Sequence, residues 1–277
     1  MIKTLLSKVS IGLLVTFFFL FLGGPFLWLL GMSVKPPIDI LAFEPELFPK
    51  KFYFQNYSDA LAKSGIVLAF FNSLFIAFIS TICVLTLAVA PSYFFARSKG
   101  LVTKSVSVWI LVSQVFPLSL IIIPLFLTLQ KLNLINSRPG LILIYIMINI
   151  PFALWLLRGF VLAIPRELEE AAKIDGATFT QTIRNVILPL LAPGVIVVSV
   201  FTFINVWNEF FFALVILSDP EKSTLPLKLA QFLGAEGRGL FGALAAATTM
   251  AIVPSLALFA LIQKRFSDNF LAGAVKG

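Results

Sequence analysis

Long stretches without a single charged side chain alternate with short polar segments along this chain. The uncharged runs occupy residues 9–34, 64–96, 105–130, 139–157, 185–208 and 239–263. At about 1.5 Å of rise per helical residue, each is long enough to cross roughly 30 Å of hydrocarbon. The runs are continuously apolar, unlike the alternating segments of about ten residues that build a membrane barrel. The pattern predicts an all-α integral membrane protein of six transmembrane helices, forming one transmembrane domain over residues 1–277.

The first run follows Lys3 and Lys8, as the apolar core of a signal peptide would. It is too long for that role and continues into GGPFLWLLGMSVKPP with no small-residue cleavage site, so it is expected to stay as an anchor. Composition supports the bilayer reading, because 59% apolar residues, 12% charged residues and 30 phenylalanines lie far outside the soluble average. The net charge of +8 is spread over every loop rather than gathered into a basic stripe, so no nucleic-acid partner is expected and lipid head groups account for it. The single cysteine, Cys83, lies in the second run, cannot form an internal disulfide and is expected to be a small core hydrophobe.

Six spans put both termini on one side. The N-terminus, the 97–104 and 158–184 loops and the C-terminal tail carry twelve Lys/Arg, against nine in the 35–63, 131–138 and 209–238 loops. Positive charge marks the cytoplasmic side, so both termini are predicted to be cytoplasmic in the plasma membrane.

One compact polar segment interrupts this pattern: PRELEEAAKIDGATFTQTIRNVILP, residues 165–189. Pro165 suits a first helical position, and Glu167 and Glu169 suit a first turn, where the helix dipole favours negative charge. Arg166 with Glu170, and Glu169 with Lys173, are spaced as i, i+4 pairs, and Leu168, Ala171 and Ala172 share the opposite face. Gly176 supplies the left-handed residue that commonly ends a helix, and Thr178 with Gln181 forms a capping box for the next. Pro189 and Pro193 are expected to kink that second helix just inside the membrane. A cytoplasmic helix-turn-helix elbow between spans 4 and 5 results. From pattern alone it is equally an interfacial loop helix.

The string EAA, three residues, Gly, nine residues, an aliphatic residue, any residue, then LP occurs here as Glu170-Ala171-Ala172, Gly176, Val186 and Leu188-Pro189. It resembles the signature of the permease subunits of binding-protein-dependent ABC importers. Further strings resemble the maltose-transporter-type subfamily for sugars: FFNSLF at 70–75, SYFFAR at 92–97, the run at 114–126, WLLRGF at 155–160, VWNEFFFAL at 206–214, STLPLKL at 223–229 and LAGAVKG at 271–277. Val186, where the family more often has Ile, and Asn269-Phe270, where it has Gly-Leu, are the departures.

The resemblance implies that the 165–175 helix is a coupling helix, seated in a cleft of a cytoplasmic ATPase. Glu169, Glu170, Ala171, Ala172, Asp175 and Gly176 are then the ATPase-coupling residues, with Glu170 the contact to a basic group and Ala171 and Ala172 packing closely. A rigid elbow would pass closure of the ATPase dimer into the membrane helices, where a floppy loop would absorb it. The tail resembles one that enters the ATPase dimer interface, with Lys276 as a contact. The 229–239 segment resembles the loop that reaches into an extracytoplasmic solute-binding protein, with Gln231, Glu236, Gly237 and Arg238 as candidates; a solvated hairpin is the alternative.

Some chemistries are excluded. No G-x-x-x-x-G-K-[ST] string is present, so the chain is not expected to cradle ATP phosphates itself and its energy must come from a partner or a gradient; the resemblance implies a partner ATPase that uses ATP and Mg, with no cofactor bound by this chain. With no His and one Cys, an ordinary zinc site cannot be built and no metal site or enzyme activity is expected. No Asp, Glu, Lys, Arg or His lies in the runs, which counts against an ion-coupled carrier; an ion-coupled or facilitative carrier is kept as the alternative function. The few polar residues of the spans, Asn72, Gln114, Asn149, Thr202, Asn205 and Asn208, are either a sugar path or interhelical glue. Trp207 is expected in the interfacial aromatic belt. The reading is an ATP-driven sugar importer subunit, working with a second homologous permease, two ATPase subunits and a solute-binding protein.

Overall fold

The computed structural model describes residues 2–42, 46, 48–62, 65–233 and 240–274, and among them every regular element is helical. In order these are α1 (Ile2–Ser33), α2 (Pro37–Ile40), α3 (Gln55–Ala62), α4 (Ile66–Arg97), α5 (Leu101–Val115), α6 (Leu118–Lys131) and α7 (Arg138–Ala163). Then come α8 (Glu167–Ile174), α9 (Phe179–Thr182), a π-helical turn (Ile183–Ile187), α10 (Leu188–Trp207), α11 (Phe211–Ile216), α12 (Leu225–Ala230), a short 3-10 turn (Gln231–Leu233) and α13 (Phe241–Ala274).

Among the described residues, five stretches are long and apolar enough to cross a membrane: Ile11–Ser33, Ile66–Arg97, Arg138–Ala163, Phe179–Trp207 and Phe241–Gln263. The expected span at 105–130 is not one helix. Thr103–Val115 and Leu118–Lys131 meet at 99°, and only if that bent pair counts as one span does the number reach six. The cause is local: Pro117 has no N–H to continue α5, and it pushes Phe116 out of the helical region to φ −70°, ψ 129°. Pro25, Pro91, Pro124, Pro151, Pro193 and Pro254, by contrast, all lie inside continuous helices. The expected kink at Pro189 takes another form, a widened turn over Ile183–Ile187 in which the Leu188 N–H reaches back to Ile183 O.

The chain divides into two compact units. The first comprises Met1–Val67 and Lys228–Val253. In it α1 is apolar all round, and its side chains from Ile11 to Leu22 are exposed, the surface of a helix built for a nonaqueous surround. The chain after α1 is pinned by buried Asn56, whose Nδ2 donates to Ser33 O (3.0 Å) and Lys35 O (2.8 Å). Gly242 lies against that side chain so closely that a Cβ there would sit 2.5 Å from Asn56 Oδ1.

The second unit comprises Leu68–Leu227 and Pro254–Gly277. Its core is the three-helix contact of α4, α7 and α10, where Val84, Ala88, Ala96, Ala153, Leu157, Val161, Leu191 and Val198 are buried. Small residues allow this approach. A Cβ at Gly194 would stand 2.6 Å from the Phe160 ring. Helix α7 runs six residues past Leu157, so the loop expected from 158 begins only at Ile164.

The segment after α10, expected as a long outward loop, is folded against this unit. Phe212, Ala213 and Ile216 of α11 are buried. Asn136, in the left-handed conformation that Asn tolerates (φ 53°), accepts at Oδ1 from Ser218 N–H (3.1 Å) and Asp219 N–H (3.0 Å). Asn72 Nδ2 donates to Glu221 O (2.9 Å) and Ser223 O (3.0 Å), and Ser73 Oγ accepts from Leu225 N–H (2.7 Å).

Candidate functional site: an anchored elbow and an amide-lined groove

The elbow forms by local rules. Helix α8 begins at Glu167, two residues after Pro165, with three glutamates in its first turn. It ends in a Schellman turn: Gly176 takes φ +80°, its N–H meets Lys173 O at 3.1 Å, and Ala177 N–H meets Ala172 O at 2.9 Å. The capping box is complete, with Gln181 Oε1 accepting from Thr178 N–H (2.7 Å) and Thr178 Oγ1 from Gln181 N–H (3.4 Å).

The two adjacent glutamates of α8 face opposite ways. Glu170 is exposed, whereas Glu169 is buried at 6% exposure. Glu169 does not pair with Lys173, as spacing had suggested. Its Oε1 accepts from Arg97 Nε at 2.6 Å and lies 2.6 Å from Arg97 Nη2, while Oε2 accepts from Tyr93 Oη at 2.7 Å. Such charge-assisted, forked bonds are the strong ones, and a carboxylate this buried needs them. Arg97 Nη2 also donates to Ile164 O (2.8 Å), Arg166 Nη2 to Arg97 O (3.3 Å) and Arg158 Nε to Phe95 O (3.4 Å). On the far arm, the Phe179 ring lies 5.8 Å from Tyr93 and 6.0 Å from Phe94. Both arms of the elbow thus grip the last turn of α4.

The opposite face is uncovered among the described residues. Glu170, Ala171, Lys173 and Asp175 are exposed, Ala172 is half-buried, and Ile174 is 86% exposed. Gly176 holds the turn.

A groove of about 620 Å³ runs between α10 and the 259–263 part of α13, with Asn205, Asn208 and Gln263 set among Val200, Phe201 and Phe259. Its amides are oriented from behind. Asn149 Nδ2 donates to Tyr145 O (2.7 Å), which turns Asn149 Oδ1 toward Asn205, and Asn205 Nδ2 donates to it at 2.8 Å. Asn208 Nδ2 donates to Ile204 O (2.8 Å). Among the described residues nothing donates to either groove asparagine's carbonyl oxygen, which can serve as an acceptor for a hydroxyl. Behind them, Tyr145 Oη donates to Glu209 Oε2 (2.6 Å), and Glu209 Oε1 accepts from Phe212 N–H (2.8 Å) at the start of α11.

Of the six polar span residues, the groove gathers Asn205 and Asn208, with Asn149 behind them. Asn72 is buried and holds the 221–225 segment, Thr202 is fully buried, and Gln114 is exposed two residues before the α5–α6 break. Trp207 is not a belt residue: it is 2% exposed, edge-on to Phe70 (5.4 Å) and stacked on Phe203 (5.9 Å). Gln231 is exposed in the 3-10 turn, while Glu236, Gly237, Arg238 and Lys276 lie outside the described residues. Asp219 has its carboxyl held below the usual range, chiefly by the Glu221 N–H bonded to its Oδ1 (2.9 Å). No group of three or more His, Cys, Asp or Glu able to hold a metal occurs among the described residues.

Tyr93 and Arg97 were not singled out from sequence. The available signal was their i, i+4 spacing at the end of an apolar run, which lets two polar side chains close on one carboxylate.

Comparison with known proteins gives the following. The profile described as "Binding-protein-dependent transport system inner membrane component" matches residues 84–269. A diacetylchitobiose uptake system permease of Streptomyces coelicolor is 34% identical over 275 residues, covering 99% of both chains. A trehalose transport system permease of Mycobacterium tuberculosis is 32% identical, covering 91% of this chain and 92% of that one. Among solved structures, a bacterial ABC transporter importing the acidic polysaccharide alginate superposes with a TM-score of 0.82 at 23% identity, covering 95% of this chain and 98% of that one. An alginate transporter in complex with its pentasaccharide-bound periplasmic protein gives 0.69 at 15% identity, over 94% and 93%. At those identities the structures speak to the fold alone.

Proposed function

The chain belongs to the family of inner membrane components of binding-protein-dependent transport systems, and from that premise we propose how its parts serve transport. It is a non-catalytic, multi-pass permease subunit of an ABC importer for sugars, and such a subunit works with an ATPase and a solute-binding protein. A carrier driven by an ion gradient is not favoured.

In the proposed arrangement the α5–α6 pair forms one broken span, giving six spans with both termini in the cytoplasm. The subunit stands beside a second, homologous permease over two ATPase subunits, which bind ATP and Mg. The 165–189 elbow is the coupling element, with the exposed side of α8 in the ATPase cleft and Glu170 pairing with a basic group there. Lys276 joins that contact from the tail, and the 229–239 segment, with Gln231, Glu236, Gly237 and Arg238, meets the solute-binding protein. The Asn205–Asn208 groove is this subunit's share of the sugar path. Closure of the ATP-bound dimer moves the elbow and opens the cavity outward; hydrolysis reverses it.

One observation carries the coupling reading: α8 is fastened on one face and bare on the other, with Ile174 86% exposed beside Glu170. A helix held on one side and open on the other offers a firm surface through which a partner can move the membrane helices. The test is purification through a tag on this chain after gentle solubilisation, comparing wild type with Glu170→Arg. The ATPase and second permease should accompany wild type, and the ATPase should be lost from the variant. Absence of any ATPase from wild type, repeated by crosslinking in intact membranes, would overturn the importer assembly.

A further inference from the structure

We propose that Glu169 is the residue through which the elbow moves α4: a positioning residue that works inside the chain, not a contact to the ATPase like its neighbour Glu170. This rests on the coupling reading above and adds which helix receives the motion.

Glu169 has little left to offer a partner. It is 6% exposed, and both carboxylate oxygens are engaged by Arg97 and Tyr93, two residues of the last two turns of α4. The link is broader than one ion pair. Arg97 also holds Ile164 O at the head of the elbow, Arg166 returns a bond to Arg97 O, and Phe179 lies against Tyr93 and Phe94 from the second arm. The elbow is joined by the chain to α7 and α10, and α4 is remote in sequence from both. Without the Glu169 link, α4 would follow through apolar contacts such as Val84 and Ala88, which can slide, and through single bonds to backbone carbonyls from Arg97, Arg158 and Arg166, which can exchange for water at the helix end. With it, a rotation of α8 must either carry the end of α4 or leave a buried charge unpaired, and the second course is strongly opposed. α4, α7 and α10 then move as one body, which is what alternating access by rigid rotation needs.

The experiment reads the distance between α4 and the elbow in the assembled importer, with ATPase, second permease and lipid present. Cys83 is the chain's only cysteine, partly exposed and on α4, so it takes one spin label directly. Thr180→Cys, exposed on the second arm, takes the other. Partner subunits are made cysteine-free, and spectra are compared without nucleotide and after trapping with ATP and vanadate. The expected result for Glu169 intact is one narrow distance, the same in both states. Glu169→Gln should keep the ATPase in the purified complex but give a broadened distance that shifts between the two states. Tyr93→Phe, which keeps the ion pair and removes a single hydrogen bond, should broaden the distance less and serves if Glu169→Gln does not assemble. The swap Arg97→Glu with Glu169→Arg should narrow the distance again.

Loss of the ATPase from Glu169→Gln with the narrow distance kept would make Glu169 a partner contact and overturn the proposal. So would a distance that changes with nucleotide while Glu169 is intact, or one that stays narrow and fixed in both Glu169→Gln and Tyr93→Phe. Failure of the underlying coupling reading looks different: the ATPase would remain with Glu170→Arg.

Discussion

The elbow and the groove use their polar side chains in opposite ways. On the inward face of the elbow, Glu169, Tyr93 and Arg97 spend their hydrogen-bonding capacity on one another and on backbone carbonyls. In the groove, Asn205 and Asn208 satisfy only their NH2 groups among the described residues, and both residues remain exposed. A buried charge is tolerable only when fully paired, so the elbow is stiff and costly to alter. A neutral amide on an apolar wall costs little and can exchange partners, as a path for hydroxyl-rich solutes requires. The difference teaches that the two roles can be told apart by what each polar group has left over.

That contrast can be tested from its most expensive side downward. Arg97→Ala leaves Glu169 buried and unpaired and should cost about 3–5 kcal/mol, read as a large drop in the melting temperature of the purified complex. Replacing both partners, Arg97→Met with Glu169→Leu, should recover much of that loss. A cost near zero for the single change would mean the ion pair is no stiffer than the groove amides. Gly176→Val places a β-branched residue at φ +80° and should cost about 1–2 kcal/mol or more, with faster amide exchange confined to the elbow. Asn149→Leu frees Tyr145 O and unties Asn205; membrane hydrogen bonds of this kind are worth about 0.6 kcal/mol on average. Melting should therefore change little while sugar uptake falls more sharply, because the Asn205 acceptor is no longer aimed. Asn205→Asp keeps an acceptor and adds a charge at an exposed site. It also gives up the donor to Asn149 Oδ1, a membrane hydrogen bond again worth about 0.6 kcal/mol on average, with slower uptake of a neutral sugar as the measured effect. Equal uptake for Asn205→Asp and wild type would remove Asn205 from the path.

Much of this was legible in the chain itself. The long helices match the uncharged runs to within a few residues at most ends, because continuous apolarity and helical rise are properties of short windows. Gly176 and the Thr178–Gln181 box fold as their residue types demand. Pro117 was a readable warning within the 105–130 run that a count of uncharged residues passes over, since charge says nothing about a missing N–H. The packing of residues 209–227 was not legible, because Phe212 and Ile216 lie too few residues apart to announce a helix. Asn136, which pins its continuation, stands 82 residues from Ser218.

Sequence alone determined the membrane setting, the helical class, the place of the elbow and the form of its turn, all governed by interactions within a few residues. Tertiary structure decided which glutamate turns inward, which carbonyls the groove amides present and where Trp207 goes. Arg97 and Glu169 are 72 residues apart, and Asn149 and Asn205 are 56. Two neighbouring glutamates on one helix are chemically the same until another helix packs against one face. That packing is a long-range choice made by apolar contact among α4, α7 and α10, and only afterward do the polar groups find the partners left within reach.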